Sequence, residues 1–327
     1  MTYSVVVPAH NEEASIEPLY DAVKKMMDEL VAENPFSPFL QKGGSDGSWE
    51  LIYIDDGSRD ATLARMQAVR ARDPRVKIIA FRRQFGQTAG WSAGFDHARG
   101  EYVIVLDSDL QNDPQDIPAM LAAMQAEGLD VISGWRKNRK DNGALMFLSK
   151  LGNWVHRRVT GEKIHDHGCS LKIYKKEALE DLELYGEMHR YITALLSWKG
   201  FKVGEIAVRH HPRRSGRTKY SVRKKLKGFL DLIVVKFWIQ YSARPMHFFG
   251  LFGAGFIAAG LLLGGTLGSL WLMRITGFAN SSLPLAAVVL VLLGFQFLLS
   301  GVLADVVAHT YYAKRKAYSI KSVDGFK

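Results

Sequence analysis

Two long apolar runs near the carboxyl end limit what this chain can become. Met246 to Met273 is an uncharged stretch of about 28 residues, and a second runs from about Pro284 to Ala304. A helix rises about 1.5 Å per residue and a bilayer's hydrocarbon core is about 30 Å thick, so each run is long enough to cross with some tilt. Burying both as core helices of a soluble protein is a poor fit to 327 residues. The chain therefore divides into a hydrophobic hairpin and a separate domain ahead of it.

Charge orients that hairpin. Two spans place both flanks on one side, and the flanks carry Arg209 to Ser221, the lysines of the next segment and Lys314-Arg315-Lys316, against Arg274 alone in the opposite loop. The positive side faces the cytoplasm. Val222 to Tyr241 repeats Leu226, Phe229, Leu230, Ile233, Val234 and Phe237 at spacings of three and four with lysines between them. That pattern suits an amphipathic helix lying in the interface. The expected organisation is a water-facing domain over 1–221, an interfacial helix over 222–244, two membrane helices over 245–310 and a basic tail over 311–327. Such a chain is expected to be a multi-pass protein of the inner (cytoplasmic) membrane with both termini cytoplasmic. Small residues at Gly250, Gly253, Gly260 and Gly264 favour close helix packing and are compatible with a homo-oligomer without setting a subunit count. The chain enters its first strand at Tyr3 without a charged and then apolar leader, so no cleaved export signal is expected.

The first 210 residues alternate strand-like and helix-like segments. Tyr3 to Val7, Trp49 to Ile54, Val76 to Phe81, Tyr102 to Leu106 and Asp130 to Gly134 read as strands, and Ile16, Leu19, Val23, Met26 and Leu30 mark the apolar face of the first helix. Asn34 to Ser48, rich in glycine and proline, reads as a surface loop. Such alternation predicts an α/β fold with a mostly parallel sheet, helices on both faces and right-handed crossovers. The strand ends then carry Pro8-Ala9-His10-Asn11-Glu12, Asp55-Asp56-Gly57-Ser58, Arg82-Arg83-Gln84-Phe85-Gly86-Gln87 and Asp107-Ser108-Asp109-Leu110-Gln111 to one edge. Asp60 is placed to cap the helix after the second strand, and the small residues of Thr88 to Ala98 suit a helix packed tightly beneath the edge. Ligands bind beyond the carboxyl ends of strands in open α/β sheets, and two carboxylates one residue apart can hold a hard divalent cation together with diphosphate oxygens. Aspartates in turns also cap helices, but acidic pairs after two separate strands are harder to assign to capping alone.

These four motifs, VVVPAHNEE, IDDGSRD, FRRQFGQTAGWSAG and LDSDLQNDP, occur in an order that resembles family 2 glycosyltransferases of the GT-A fold. The polyisoprenyl-phosphate members match best, dolichyl-phosphate mannose synthase and bacterial undecaprenyl-phosphate sugar transferases among them. The resemblance extends over roughly the whole chain and implies a set of roles. Pro8, Asn11, Glu12, Asp55 and Asp56 would surround the nucleoside. Asp107 and Asp109, with Gln111, would hold the diphosphate through Mg²⁺ or Mn²⁺.

Further matches follow. Arg136, after the fifth strand, and Lys150 would meet the acceptor's anion. The segment Asp166-His167-Gly168-Cys169-Ser170-Leu171-Lys172 is similar to the family's stretch holding its candidate base, here Asp166, with Lys172 where the family often has arginine. Arg213 and Lys219 match a basic loop that closes over phosphates. The resemblance implies transfer of a single sugar from a nucleotide sugar to a polyprenyl phosphate, undecaprenyl or dolichyl, with inversion. Asp166-x-Gly-Cys looks more like the bacterial members, which favours UDP- over GDP-sugars. A lipid phosphate monoester has a second pKa near ~6 and is already largely anionic at neutral pH. Its oxygen needs positioning more than deprotonation, so Asp166 is expected to orient neighbours as much as to take a proton.

Other classes fit less well. The formal charge of +10 suits nucleic acid, an anionic membrane surface or an anionic substrate, but no nucleic-acid reading module or aromatic platform accompanies it. Cys169, the single cysteine, excludes an intramolecular disulfide, suits a reducing compartment and reads as a small buried residue. A processive polysaccharide synthase usually carries Gln-x-x-Arg-Trp and more spans, and this chain has neither. A noncatalytic membrane scaffold would have no use for Asp107, Asp109, Asp166 and Lys219 together.

Overall fold

The computed structural model describes residues 2–33, 49–137, 164–180, 182, 184, 188–212, 237, 241, 245–274 and 282–313. The chain forms two compact units, Met1–Leu232 and Ile233–Lys327. The expected 34–48 loop, the 222–244 helix (apart from Phe237 and Tyr241) and the 314–327 tail lie outside the described residues.

The first unit is built on a seven-stranded sheet. Its elements are β1 (Tyr3–Ala9), α1 (Ile16–Glu33), β2 (Trp49–Asp55), α2 (Thr62–Arg72), β3 (Val76–Ala80), α3 (Gln87–His97), β4 (Tyr102–Val105), α4 (Ile117–Ala126), β5 (Val131–Trp135), β6 (Lys172–Lys175), a short α5 (Lys176–Leu179), α6 (Ile192–Trp198) and β7 (Val203–Ala207). The spatial order is β3-β2-β1-β4-β6-β5-β7. All neighbours pair in parallel except β6, which runs antiparallel to both β4 and β5. The chain builds outward from β1 through β2 to β3, then returns to place β4 on the other side of β1. That reversal opens a crevice beyond the carboxyl ends of β1 and β4, the position where open α/β sheets bind ligands.

The sheet is covered on both faces, so β1, β2 and β4 are buried along their whole length. On one face Ile16, Leu19, Val23, Met26 and Met27 of α1 join Met66, Val69, Ile117 and Met120 over Val5, Val7, Leu51 and Ile104. On the other, Trp91 and Phe95 of α3 pack with Val6, Ile54, Val103, Val105, Ile192 and Leu196. Each such side chain contributes roughly 1.5–3 kcal/mol by leaving water. The glycines of α3 set how close it comes: a Cβ on Gly94 would lie 2.2 Å from a methyl of Val6, so any larger residue would lift the helix off β1. Cys169 is buried, 1% exposed.

The second unit contains α7 (Pro245–Leu272) and α8 (Leu283–Ala313). Glycine lets the two backbones touch. A Cβ on Gly253 would lie 2.9 Å from the Gly294 carbonyl oxygen, and one on Gly260 would lie 2.8 Å from that of Ala287. The outer faces present Leu251, Leu262, Leu285, Leu303 and Val307 to their surroundings, all more than half exposed. Helices of this length with so little of their apolar surface covered are suited to lipid, not to a soluble core.

Candidate active site

The crevice is framed by two strained turns. Asn11 after β1 has φ 56° and Leu110 after β4 has φ 59°, left-handed conformations that are uncommon for a side chain such as leucine's. Strain of this kind gathers at sites whose geometry the surroundings enforce.

The turn after β1 is locked to the loop after β2. The Asn11 amide donates to Ser58 Oγ (3.0 Å) and its side-chain oxygen accepts from the Arg59 amide (2.8 Å). The Glu12 amide donates to Thr62 Oγ1 (2.9 Å), and Glu13 accepts from the Ala61 amide (2.8 Å). Pro8 lies buried in β1 below Gly90 of α3. Asp55 accepts from the Ser58 amide, while Asp60 turns its carboxylate to the Thr62 amide and hydroxyl just ahead of α2. Asp56 spends both oxygens on the next loop, accepting from the Phe85 amide at 2.6 Å and the Gly86 amide at 2.9 Å. Asn11, Glu12, Asp55 and Asp56 therefore share one edge of the crevice, with Asp55 and Asp56 buried.

Gly57 makes that joint possible. Its φ is +64°, and an added Cβ would sit 2.5 Å from the Arg83 carbonyl carbon and 2.7 Å from the Gln84 nitrogen. Gly57→Ala is expected to cost about 2 kcal/mol or more, combining left-handed strain with displacement of the 82–86 backbone. Thermal unfolding of the full chain should register it as a lowered Tm, and an unchanged Tm would contradict this packing.

Asp107 and Asp109 follow β4 directly and are each partly exposed. Gln87, the first residue of α3, donates from Nε2 to Asp107 Oδ1 at 2.6 Å, and Ser170 also hydrogen-bonds Asp107. Ser170 in turn accepts from Asn112 Nδ2 (2.7 Å). Asp109 accepts from the Gln111 amide (3.2 Å), closing the turn. Burial, and then the Asp109 carboxylate beside it, push the Asp107 carboxyl up to about 6, despite the opposing charges of Arg136 and Lys172. Like charges so placed favour a cation between them. Two carboxylates and the Gln111 amide oxygen are hard donors that fit Mg²⁺ or Mn²⁺. Among the described residues no group of three or more His, Cys, Asp or Glu forms a closed metal cage. Oxygens of a bound diphosphate would complete the coordination.

Beyond β5 the Arg136 guanidinium and the Asp166 carboxylate form a two-point pair, Nε to Oδ2 at 2.7 Å and Nη2 to Oδ1 at 2.9 Å. The Arg136 and Gly168 amides also donate to Asp166. Next to the pair, His165 stacks on Trp135 with ring centroids 4.7 Å apart and bonds the Glu205 carboxylate. Lys172 is 1% exposed, its ammonium at the His167 carbonyl (3.3 Å) and over the face of Trp91. Its charge opposes the rise in the Asp107 pKa. Lys150, Arg213 and Lys219 lie outside the described residues. The segment after β7 is tied down: Arg209 pairs with Asp113 and Asp116, and the His211 amide donates to the Gln111 carbonyl at 2.8 Å.

Three further residues belong to the site although their sequence context gives them no role. Gln87 is signalled only weakly, as a polar residue opening the helix after a loop on the active edge. Ser170 lies in a segment notable for Asp166. His189 carries no sequence signal; it is buried, its Nδ1 shares a hydrogen bond with Thr88 Oγ1 (2.7 Å), and burial lowers its pKa to about 3, so the ring is neutral.

Residues 4–183 match the family described as Glycosyl transferase family 2. A dodecaprenyl-phosphate galacturonate synthase of Rhizobium johnstonii is 40% identical over 94% of this chain and 88% of its own. An undecaprenyl-phosphate 4-deoxy-4-formamido-L-arabinose transferase of Pseudomonas paraeruginosa is 33% identical over 94% and 85%. Among solved structures, the glucosyl-3-phosphoglycerate synthase of Mycobacterium tuberculosis in complex with Mn²⁺ and UDP-glucose has the same GT-A-like fold at 19% identity, with a TM-score of 0.51 over 74% of this chain and 81% of that one.

Proposed function

The chain belongs to glycosyltransferase family 2, and from that premise we propose that it transfers one sugar from a UDP-sugar to a polyprenyl phosphate, with inversion, at the cytoplasmic face of the membrane. The observation that carries the reading is the Asp107–Asp109 pair at the β1/β4 crevice of a chain that also holds two apolar helices of membrane-spanning length. The two relatives, named for polyprenyl-phosphate substrates and alike over nearly the whole chain, support it.

The residues divide the work. Asn11, Glu12, Asp55 and Asp56 edge the nucleoside end, and Asp107, Asp109 and Gln111 the diphosphate end. A divalent cation held there would offset the charge that grows on the departing nucleoside diphosphate. Arg136 would bind the acceptor phosphate, with Asp166 fixing its guanidinium plane. Lys150, Arg213 and Lys219 would add charge around that phosphate. The acceptor oxygen, already anionic, attacks the anomeric carbon from the face opposite the leaving group. The basic flanks of the helices support a domain on the cytoplasmic side, where both substrates would meet.

Galacturonate is the first sugar to test and 4-deoxy-4-formamido-L-arabinose the second. Purified full-length protein in detergent is expected to move radiolabel from one UDP-sugar into chloroform-extractable undecaprenyl phosphate with Mg²⁺ or Mn²⁺, and not with EDTA. A water-soluble polymer in place of a lipid product would instead identify a processive synthase. Well-folded protein giving neither product from any UDP- or GDP-sugar would leave the scaffold reading.

A further inference from the structure

The loop 82–87 links the two acidic ends of the crevice, and both of its attachments are specific. At one end Asp56 accepts from the Phe85 and Gly86 amides, with Gly57 pressed against the Arg83 and Gln84 backbone. At the other, Gln87 reaches Asp107 at 2.6 Å. The first turn of α3 between them cannot drift. Thr88 is hydrogen-bonded to the buried His189, which sits edge-on to Trp91, and Gly90 and Gly94 hold the helix against Pro8 and Val6. A glutamine side chain has three rotatable bonds, and this one starts from a fixed backbone and ends on a carboxylate. Since a carboxylate only accepts, the group facing it is the amide N–H.

We propose that Gln87 is a positioning residue that sets the orientation of Asp107, and through it the affinity of the site for a divalent cation and diphosphate. The inference rests on the reading of Asp107 as a cation-holding carboxylate. Donation to Oδ1, together with the Ser170 hydrogen bond to the same carboxylate, fixes its plane and leaves its other lone pairs for the ion. A neutral donor suits this place, because a lysine or arginine would satisfy the same oxygen while competing with the cation for its charge. Partners of this kind beside metal-holding groups typically change metal affinity 10–100-fold.

The test is direct Mn²⁺ binding to the full chain in detergent with saturating UDP, read as free Mn²⁺ by electron paramagnetic resonance. Gln87→Met, close in size but without the N–H, is expected to weaken Mn²⁺ binding at least about tenfold. Its Tm should match the parent's, and its kcat at saturating Mn²⁺ should return to within about tenfold of the parent's. Gln87→Ala should behave alike, which separates the lost hydrogen bond from any misfit of the methionine. Unchanged Mn²⁺ affinity in both variants would reduce the bond to a packing contact and overturn the inference alone. Failure of the parent itself to bind Mn²⁺ with UDP would overturn both the inference and the reading beneath it.

Discussion

Asp109→Asn is expected to lower turnover by about 10²–10³-fold while raising the melting temperature of the metal-free protein. The loss follows from the role assigned to the pair. Removing one preorganised group that stabilises charge in a transition state costs about 10²–10³-fold, and Asp109 holds the cation that performs that task. The gain follows from electrostatics. Asp107 has a folded-state pKa raised to about 6, first by burial and second by Asp109. A carboxyl raised above its unfolded value favours the fold at low pH, and that contribution is lost as pH rises through about 6. Asp109 is the second cause of the raised Asp107 pKa, so at pH 7.5 the neutral amide of asparagine removes a repulsion acting on the Asp107 carboxylate. One unit of pKa corresponds to about 1.4 kcal/mol, so the gain is on the order of 1 kcal/mol, a rise of roughly 2–4 °C. It should fade as pH falls through about 6, where Asp107 takes up its proton, and be gone by about pH 4. Turnover together with Tm at pH 7.5 and 4 checks both halves. An active variant would remove the cation from the mechanism, and a lowered Tm at pH 7.5 would mean that Asp109 stabilises the metal-free fold.

What the sequence makes legible here is what depends on local pattern. The apolar runs give the two helices because length and lack of charge suffice, and the strands ending in Asp55 and Asp107 show themselves by abrupt changes from β-branched to acidic residues. The antiparallel insertion of β6 between β4 and β5 is not legible, because nothing in Lys172-Ile173-Tyr174-Lys175 states which strands it will join. Lys172 is matched to a phosphate-contacting position only by its place in the motif, and its burial to 1% exposure, with Trp91 and the His167 carbonyl around its ammonium, is not legible in the sequence. Asp60 lies one residue ahead of Ala61, the residue before α2, and its carboxylate accepts from the Thr62 amide that opens the helix, as its place in the sequence suggests. The Gln87–Asp107 bond joins residues 20 apart and exists only once α3 has docked on β1.

The Arg136–Asp166 pair carries the other large expectation. The two side chains are only 11% and 12% exposed, so little water remains to replace either partner. Arg136→Ala would leave a largely buried carboxylate held by two backbone amides, and losing one member of such a pair typically costs about 3–5 kcal/mol. Tm should fall, and the KM for polyprenyl phosphate should rise more than kcat falls. Asp166→Asn is the sharper test. It keeps the shape and one acceptor for the guanidinium but loses the charge that fixes its plane. If Asp166 orients Arg136, kcat/KM for the acceptor should drop by about 10²-fold, and the pH profile should keep the limb set by the lipid phosphate, near ~6. Arg136→Lys should then resemble it, because an ammonium cannot make the two-point contact. If Asp166 were the general base, its loss would reach about 10⁴-fold, while Arg136→Lys, which keeps the base, would lose far less. The bidentate contact, with both carboxylate oxygens turned to Arg136, favours the first outcome.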